Sequence, residues 1–167
     1  MPDGYFLRGF RPEDMMYLLD IDAKCNDQSW SYEQWVREVH NHTGTVVTFY
    51  GTPVGFALFK RYFIKDGCSV ELVKLAVKEQ YRRQKLGLLL MSGCVKFAQD
   101  MGCKKVFCVL PESHLYPPDP GILFLQTCGF TAVTPMLRGY FQFDGVEQDG
   151  VKLVHDFPET QSTLTCG

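Results

Sequence analysis

A basic segment over residues 82–87 contains the side chains whose types and spacing are best suited to chemistry. Its sequence, Arg-Arg-Gln-Lys-Leu-Gly, lies between a β-branched, apolar stretch over 70–77 and a helical apolar pattern over 88–101. The start of a helix directs free backbone N–H groups and the positive end of the helix dipole at an anion. The segment therefore predicts a phosphate site. A basic helix start without a ligand is the alternative that this segment alone leaves open.

Strands and helices alternate along the whole chain in the order β-α-α-β-β-β-α-β-α-β-β. We predict strands over 5–10, 45–50, 54–63, 69–77, 106–110, 130–136 and 151–157, and helices that start at Pro12 and Ser31 or cover 88–101 and 122–128. This order predicts an α/β (α+β) fold with a mixed central sheet of about seven strands flanked by about four helices. The last two strands are expected to form a hairpin with a long connection over 140–150. One domain over 1–157 and a polar, flexible tail over 158–167 complete the prediction.

Local signals place two helix ends and one apolar helix face. Ser31 with Gln34 is a capping box, and Trp30 and Trp35 flank it at the spacing of a hydrophobic staple. Gly102 is expected to end the helix over 88–101. The first helix is expected to present its apolar face through Met15, Tyr17, Leu18, Leu19 and Ile21.

Composition excludes several classes of protein. The 167 residues include 17 basic and 19 acidic side chains, a balance that argues against general affinity for nucleic acid. The chain shows neither a signal-peptide pattern nor an apolar stretch long enough to cross a membrane. Its seven cysteines have no C-x-x-C pairing, and its four histidines do not join them at zinc-ligand spacing. We expect a cytoplasmic protein with reduced, mostly buried cysteines, no metal site and no membrane partner.

The basic segment resembles the pyrophosphate loop of the GNAT (Gcn5-related N-acetyltransferase) superfamily. That loop has Gln or Arg, two residues, Gly, one residue, then Gly or Ala; Arg82 and Gly87 fit its ends, and Lys85 replaces its first glycine. The element order is also that of the GNAT fold. Trp30-Ser31, 125–130 and 138–145 resemble segments of the protein N-terminal (ribosomal-protein-alanine type) acetyltransferases, so the resemblance covers roughly 8–157.

The resemblance implies a single-domain GNAT fold and an N-acetyltransferase that uses acetyl-CoA. The acetyl group would move from the coenzyme A thioester to a primary amine by direct attack, with a protein N-terminus, a lysine or a small-molecule amine as acceptor. The residues implied to bind the coenzyme are Leu75, Ala76, Val77, Arg82, Arg83, Gln84, Lys85, Leu86, Gly87 and Leu88. If the turn requires a positive φ at Lys85, its Cβ costs on the order of 1 kcal/mol.

The resemblance also suggests catalytic residues, Glu71 and Tyr140. Glu71 matches a catalytic glutamate of some GNAT histone acetyltransferases, and period-two alternation would place it on one strand face with Val73, Leu75 and Val77. Apolar neighbours would raise the pKa of Glu71 and suit it to proton removal. Glu112, in the loop after the fifth strand, is a poorer candidate.

Leu125 occupies the position where the family often has a tyrosine, which protonates the leaving thiolate. Pro118 occupies the position where the family often has an asparagine. Tyr116, Tyr140 or water would then supply that proton, and Tyr140 would otherwise line the acceptor entrance.

Three questions stay open at this stage. A catalytically weak or inactive GNAT module that binds coenzyme A or a protein partner is one alternative, and acyl transfer through Cys108 or Cys128 is another. The protein would be a monomer or a homodimer.

Overall fold

The computed structural model describes residues 3–65, 67–115 and 117–157. They form a seven-stranded sheet with the strand order β1-β2-β3-β4-β5-β7-β6, in which only β4 and β5 run parallel. The strands are β1 (Tyr5–Gly9), β2 (Thr43–Phe49), β3 (Thr52–Ile64), β4 (Gly67–Val77), β5 (Lys105–Pro111), β6 (Thr131–Phe143) and β7 (Val146–Asp156). The helices are α1 (Met15–Cys25), α2 (Tyr32–Glu38), α3 (Leu86–Asp100) and α4 (Pro120–Thr127). The predicted fold class is confirmed, whereas the predicted tail over 158–167 lies outside the described residues.

Two apolar cores lie on opposite faces of the sheet. Helices α3 and α4 cover one face through buried residues that include Leu90, Cys94 and Ile122. Helices α1 and α2 cover the other face with Leu18, Ile21 and the fully buried Trp35. The predicted apolar face of α1 is wrong at Tyr17, which is 49% exposed.

The predicted helix ends are confirmed. The Ser31 hydroxyl accepts from the Gln34 N–H and the Gln34 side chain accepts from the Ser31 N–H, as a capping box requires. The Trp30 and Trp35 rings meet edge to face with centroids 5.0 Å apart. Gly102 follows α3 with a φ of +71°, and its N–H donates to the Gln99 carbonyl.

The closing hairpin differs from the prediction. Strands β6 and β7 extend to a two-residue turn, so there is no long connection over 140–150. Asp144 and Gly145 both have positive φ, 50° and 79°, which matches the twist of a tight hairpin turn. The Asp-Gly pair was the local signal for this turn.

A β-bulge at Val73 changes which side chains of β4 share a face. Leu58 pairs with Lys74 and Phe59 with Leu72, so Val73 is left without a partner on β3. Leu72 and Leu75 therefore both pack in the α3–α4 core, while Lys74 turns toward α1. The prediction that Glu71 shares a face with Leu75 and Val77 is wrong, because the extra residue shifts the alternation by one.

Cys68 and Cys103 form a disulfide, so the prediction of reduced cysteines is wrong for this pair. Cys68 lies at the start of β4 and Cys103 precedes β5, and the two strands enter the sheet side by side. Their Cα atoms are 4.7 Å apart despite a sequence separation of 35 residues. Cys25, Cys94, Cys108 and Cys128 are free.

Candidate active-site cleft

A cleft of about 890 Å³ opens where β4 and β5 separate. The two strands pair only at Val70 with Val106 and at Glu71 with Phe107, and they diverge beyond these pairs. Among the described residues, the β4 edge facing β5 therefore has no strand partner over 72–77. The start of α3, helix α4, the end of α1 with the loop over 26–30, and the β6 residues Tyr140 and Phe141 form the other walls.

The start of α3 presents free backbone donors to this cleft. Lys85 is the N-cap residue, has a left-handed conformation (φ 63°, ψ 21°) and forms no side-chain cap. The helical ladder begins with the Leu89 N–H donating to the Lys85 carbonyl at 3.1 Å, so the N–H groups of 86–88 have no helical acceptor. A helix start of this kind can bind phosphate.

The basic residues of this turn differ in their contacts. Arg82 donates from Nε to the Val77 carbonyl at 2.9 Å and contacts the Cys25 sulfur at 3.4 Å, which joins the end of β4 to the end of α1. Arg83 and Lys85 are exposed and line the cleft, whereas Gln84 is exposed and is not part of its lining. Arg83 also has a positive φ of 65°. The turn thus holds two non-glycine residues with a left-handed backbone conformation.

The three residues that follow Lys85 complete this wall of the cleft. Leu86 is 3% exposed and packs in the core, so only its backbone is available to a ligand. Gly87 lies against α4, since a Cβ there would be 3.3 Å from the Phe124 ring. Leu88 is 43% exposed at the cleft.

Glu71 lies in the cleft on the opposite face of β4 from the α3–α4 core. Burial raises the pKa of Glu71, while a hydrogen bond from the Tyr62 hydroxyl and the charges of His42, Lys60 and Lys152 act in the lowering direction. The Tyr62 oxygen is 3.0 Å from Oε1 of Glu71. A desolvated carboxylate with a raised pKa is suited to accept a proton near neutral pH.

Two tyrosines accompany this carboxylate. Burial and the neighbouring Glu71 charge raise the pKa of Tyr62 to about 12. Burial, and then the Glu71 charge, also raise the pKa of Tyr140, which lines the cleft with half of its surface exposed. Sequence reasoning missed Tyr62, because its contact with Glu71 depends on the register of β3 with β4.

Loop residues 26–30 form the wall of the cleft next to Lys74. Asp22 is fully buried at the base of this loop and accepts from the Asn26 side chain at 2.7 Å and from the Trp30 N–H at 2.9 Å. The Lys74 ammonium contacts the Gln28 carbonyl at 3.3 Å and lies 4.7 Å from the Trp30 ring centroid. Sequence reasoning missed this group too, since its members are far apart along the chain.

The wall formed by β5 and α4 is mainly apolar. Leu125 is 6% exposed and lines the cleft, whereas Pro118 is exposed and outside its lining. Burial raises the pKa of Cys108 to about 12, which keeps this thiol protonated and opposes its use as a nucleophile. Tyr116, one of the predicted proton donors, lies outside the described residues.

Other sequence candidates have simpler outcomes. Glu112 is exposed in a short turn after β5 and does not line the cleft. Burial also raises the pKa of Cys128. In the part of the chain that the structure describes, no three His, Cys, Asp or Glu side chains are grouped so as to hold a metal ion. No helix there has the length and apolar character to span a membrane.

Comparison with known proteins identifies the family. Residues 10–130 match the sequence profile described as the acetyltransferase (GNAT) family. The chain belongs to the GNAT acetyltransferase family. This protein is thus an acetyltransferase, and acetyl-CoA is the coenzyme of its family. Among curated proteins, no significant match to the sequence is found.

Three solved structures illustrate the similarity in fold. Arabidopsis thaliana NAA60 in complex with acetyl-CoA has a TM-score of 0.76 at 18% identity, over 91% of this chain and 98% of that chain. Ard1 from Thermoplasma volcanium has a TM-score of 0.76 at 20% identity, over 93% of this chain and 99% of that chain. The ribosomal-protein-S18-alanine N-acetyltransferase from Escherichia coli has a TM-score of 0.74 at 17% identity, over 97% of this chain and 99% of that chain. At these identities the likeness shows the shared GNAT fold.

Proposed function

We propose that this GNAT protein transfers the acetyl group of acetyl-CoA to a primary amine by direct attack of the amine within a ternary complex. The preferred acceptor is a peptide amino terminus, and a lysine or a small-molecule amine is the close alternative. The observation that carries the proposal is a helix start without a side-chain cap, opening on the same cleft as the half-buried carboxylate of Glu71.

The coenzyme would be held at two places. The free N–H groups of 86–88 would bind its pyrophosphate, and the exposed Arg83 and Lys85 would add positive charge. Arg82 would act by fixing the turn, because its guanidinium is already bonded to the Val77 carbonyl. The unpaired edge of β4 at Leu75, Ala76 and Val77 would pair with the amides of the pantetheine arm. One of their N–H groups would also polarise the thioester carbonyl.

Bound acetyl-CoA supplies an activated acyl group on a thiol leaving group. Glu71 would accept the proton of the attacking ammonium group, directly or through water. Tyr62 would hold the carboxylate in place through its hydroxyl, which donates at 3.0 Å. Tyr140 would donate a hydrogen bond at the acceptor entrance, where burial and then the Glu71 charge raise the pKa of its phenol.

The walls of the cleft favour a peptide acceptor. The loop over 26–30 and the pair Tyr140 and Phe141 line the cleft together with Glu71, and a peptide acceptor would lie between them. A related structure, Arabidopsis thaliana Naa50, is described in complex with the bisubstrate analogue CoA-Ac-MVNAL, a coenzyme joined to a peptide. We extend that mode of binding to this chain as part of the proposal. Its placement in the cytoplasm, its monomeric or homodimeric state and a domain over 1–157 stay predictions.

Titration calorimetry with acetyl-CoA, followed by a panel of peptides and small amines, tests this function. We expect saturable binding of one coenzyme per chain and release of free thiol that depends on a peptide. Binding without turnover on any amine would instead support the coenzyme-binding module. Absence of binding at high micromolar acetyl-CoA would contradict both.

A further inference from the structure

The cleft contains a second pair of titratable side chains that the roles above leave unused. Nδ1 of His114 lies 2.8 Å from Oδ2 of Asp119, and their side chains are 28% and 34% exposed. Both residues line the cleft together with Leu125. The pair stands between β5 and α4, across from the β4 edge.

Helix α4 fixes the position of this pair. Oδ1 of Asp119 accepts from the Ile122 N–H at 2.9 Å, so the carboxylate is the N-cap of α4. The Asp119 N–H donates to the His114 carbonyl at 3.0 Å, which closes the loop between them. A proton on Nδ1 would point at a carboxylate oxygen 2.8 Å from that nitrogen, so Nε2 is the ring nitrogen left for a ligand.

Among the described residues, the leaving side of the proposed reaction otherwise has no assigned proton donor. Leu125 is apolar, and the role proposed above for Tyr140 is at the acceptor entrance. Departure of an alkyl thiolate is eased by a proton, and positioned acids typically contribute about 10²–10⁴-fold in rate.

We propose, on the basis of the acetyl transfer proposed above, that His114 protonates the departing thiolate and that Asp119 is its positioning residue. The neutral amine nitrogen forms a bond to the acetyl carbon and releases its second proton to water, and the carbon–sulfur bond breaks with its electron pair going to sulfur. Sulfur then takes the proton on Nε2 of the imidazolium, whose positive charge the Asp119 carboxylate stabilises. Water returns a proton to the neutral ring after the free thiol dissociates.

Contact between His114 and the sulfur is tested without turnover by nitrogen NMR of the histidine rings. We expect the Nε2 resonance of His114 to shift on addition of coenzyme A and to shift much less with desulfo-coenzyme A, which lacks the sulfur. Equal shifts with both ligands, or none with either when calorimetry shows binding, would overturn the proposal.

Kinetics then separate proton donation from binding. His114→Gln is expected to lower kcat about 10–100-fold while the acceptor KM and the Kd for acetyl-CoA change less than twofold, and added imidazole should restore part of the activity of His114→Ala. His40→Gln, which removes an exposed histidine outside the cleft, should match the wild type. A kcat for His114→Gln within twofold of the wild type, or a loss confined to KM and Kd, would overturn the role.

Asp119→Asn provides the second variant if His114→Gln does not fold. The amide oxygen can still cap α4, but the amide nitrogen cannot accept from Nδ1–H. We expect a smaller fall in kcat than for His114→Gln, and an unchanged kcat would overturn the positioning role. A wild-type protein that binds no acetyl-CoA would refute the proposed function itself, whereas an active wild type with insensitive variants would refute this inference alone.

Discussion

The ammonium of Lys74 lies 3.0 Å from Oδ1 of Asp22, and both side chains are withdrawn from solvent. They come from β4 and α1, 52 residues apart, so the pair connects the bulged strand to the base of the loop over 26–30. Burial lowers the pKa of Lys74, and the charge of Asp22 opposes that effect. Removing one member leaves the other charge buried without its counter-ion, which lowers the free energy of unfolding.

Lys74→Met is therefore expected to destabilise the fold by about 3 kcal/mol. The matched double variant Lys74→Met with Asp22→Asn should recover part of that loss, since no unpaired charge remains and the amide oxygen can accept from the Trp30 N–H. Chemical denaturation of the two single variants and the double variant measures the coupling. A double variant no more stable than Lys74→Met would contradict this account.

The hydrogen bond from Tyr62 to Glu71 predicts a pH effect. The hydroxyl stabilises the charged carboxylate and so acts to lower the pKa of Glu71. Tyr62→Phe removes this effect, so the pKa should rise and the acid limb of the kcat/KM profile should move to higher pH. Tyr32→Phe, an exposed tyrosine on α2, serves as the control. A limb that stays in place, or moves to lower pH, would exclude Glu71 as the titrating base.

Lys85 is expected to contribute charge to coenzyme binding despite its strained backbone. Lys85→Gln should raise the Kd for acetyl-CoA about two- to fivefold at low salt, the effect of one exposed ion pair, and the difference should shrink as salt screens the charge. Lys85→Gly should weaken binding equally while relieving about 1 kcal/mol of left-handed strain. Lys65→Gln, at an exposed lysine outside the cleft, should bind like the wild type. Equal Kd values for all three variants would remove the Lys85 charge from the site.

The disulfide predicts a dependence of stability on reductant. A crosslink that closes a loop of 35 residues contributes about 3–4 kcal/mol on the chain-entropy estimate. The double variant Cys68→Ala with Cys103→Ala should unfold at a lower denaturant concentration than the wild type. Reductant should lower the denaturation midpoint of the wild type to nearly the same value. Cys128→Ser, at a free cysteine, should respond to reductant like the wild type. A wild-type midpoint unchanged by reductant would show that the bond does not form.

Local chemistry explains which features the sequence could predict. The capping box of Ser31 and Gln34, the glycine after α3 and the basic helix start each depend on a few adjacent residues. The resemblance of the basic segment and its flanks then supplied the fold and the coenzyme. The Asp144–Gly145 turn had a local signal as well, and the long connection was predicted in spite of it.

The rest of the site depends on contacts between distant segments. Val73 is a bulge residue only because of how β4 is paired with β3. That register determines on which face of the sheet the side chains of Glu71 and Lys74 lie. The contacts of Asp22 with Lys74 and of Cys68 with Cys103 have no characteristic spacing in sequence. The pairing of His114 with Asp119 has no sequence signal either, because it requires the loop to close onto α4.

The central claim is that the cleft transfers an acetyl group to an amine through Glu71. The most direct test is mass spectrometry of a peptide panel incubated with acetyl-CoA and the wild type or Glu71→Gln, together with measurement of released thiol. We expect one acetyl group on the peptide amino terminus for each thiol released, and a rate lower by about 10²-fold for Glu71→Gln with an unchanged Kd for acetyl-CoA. Acetylation by Glu71→Gln at the wild-type rate, or no acetylated amine with the wild type, would contradict the claim.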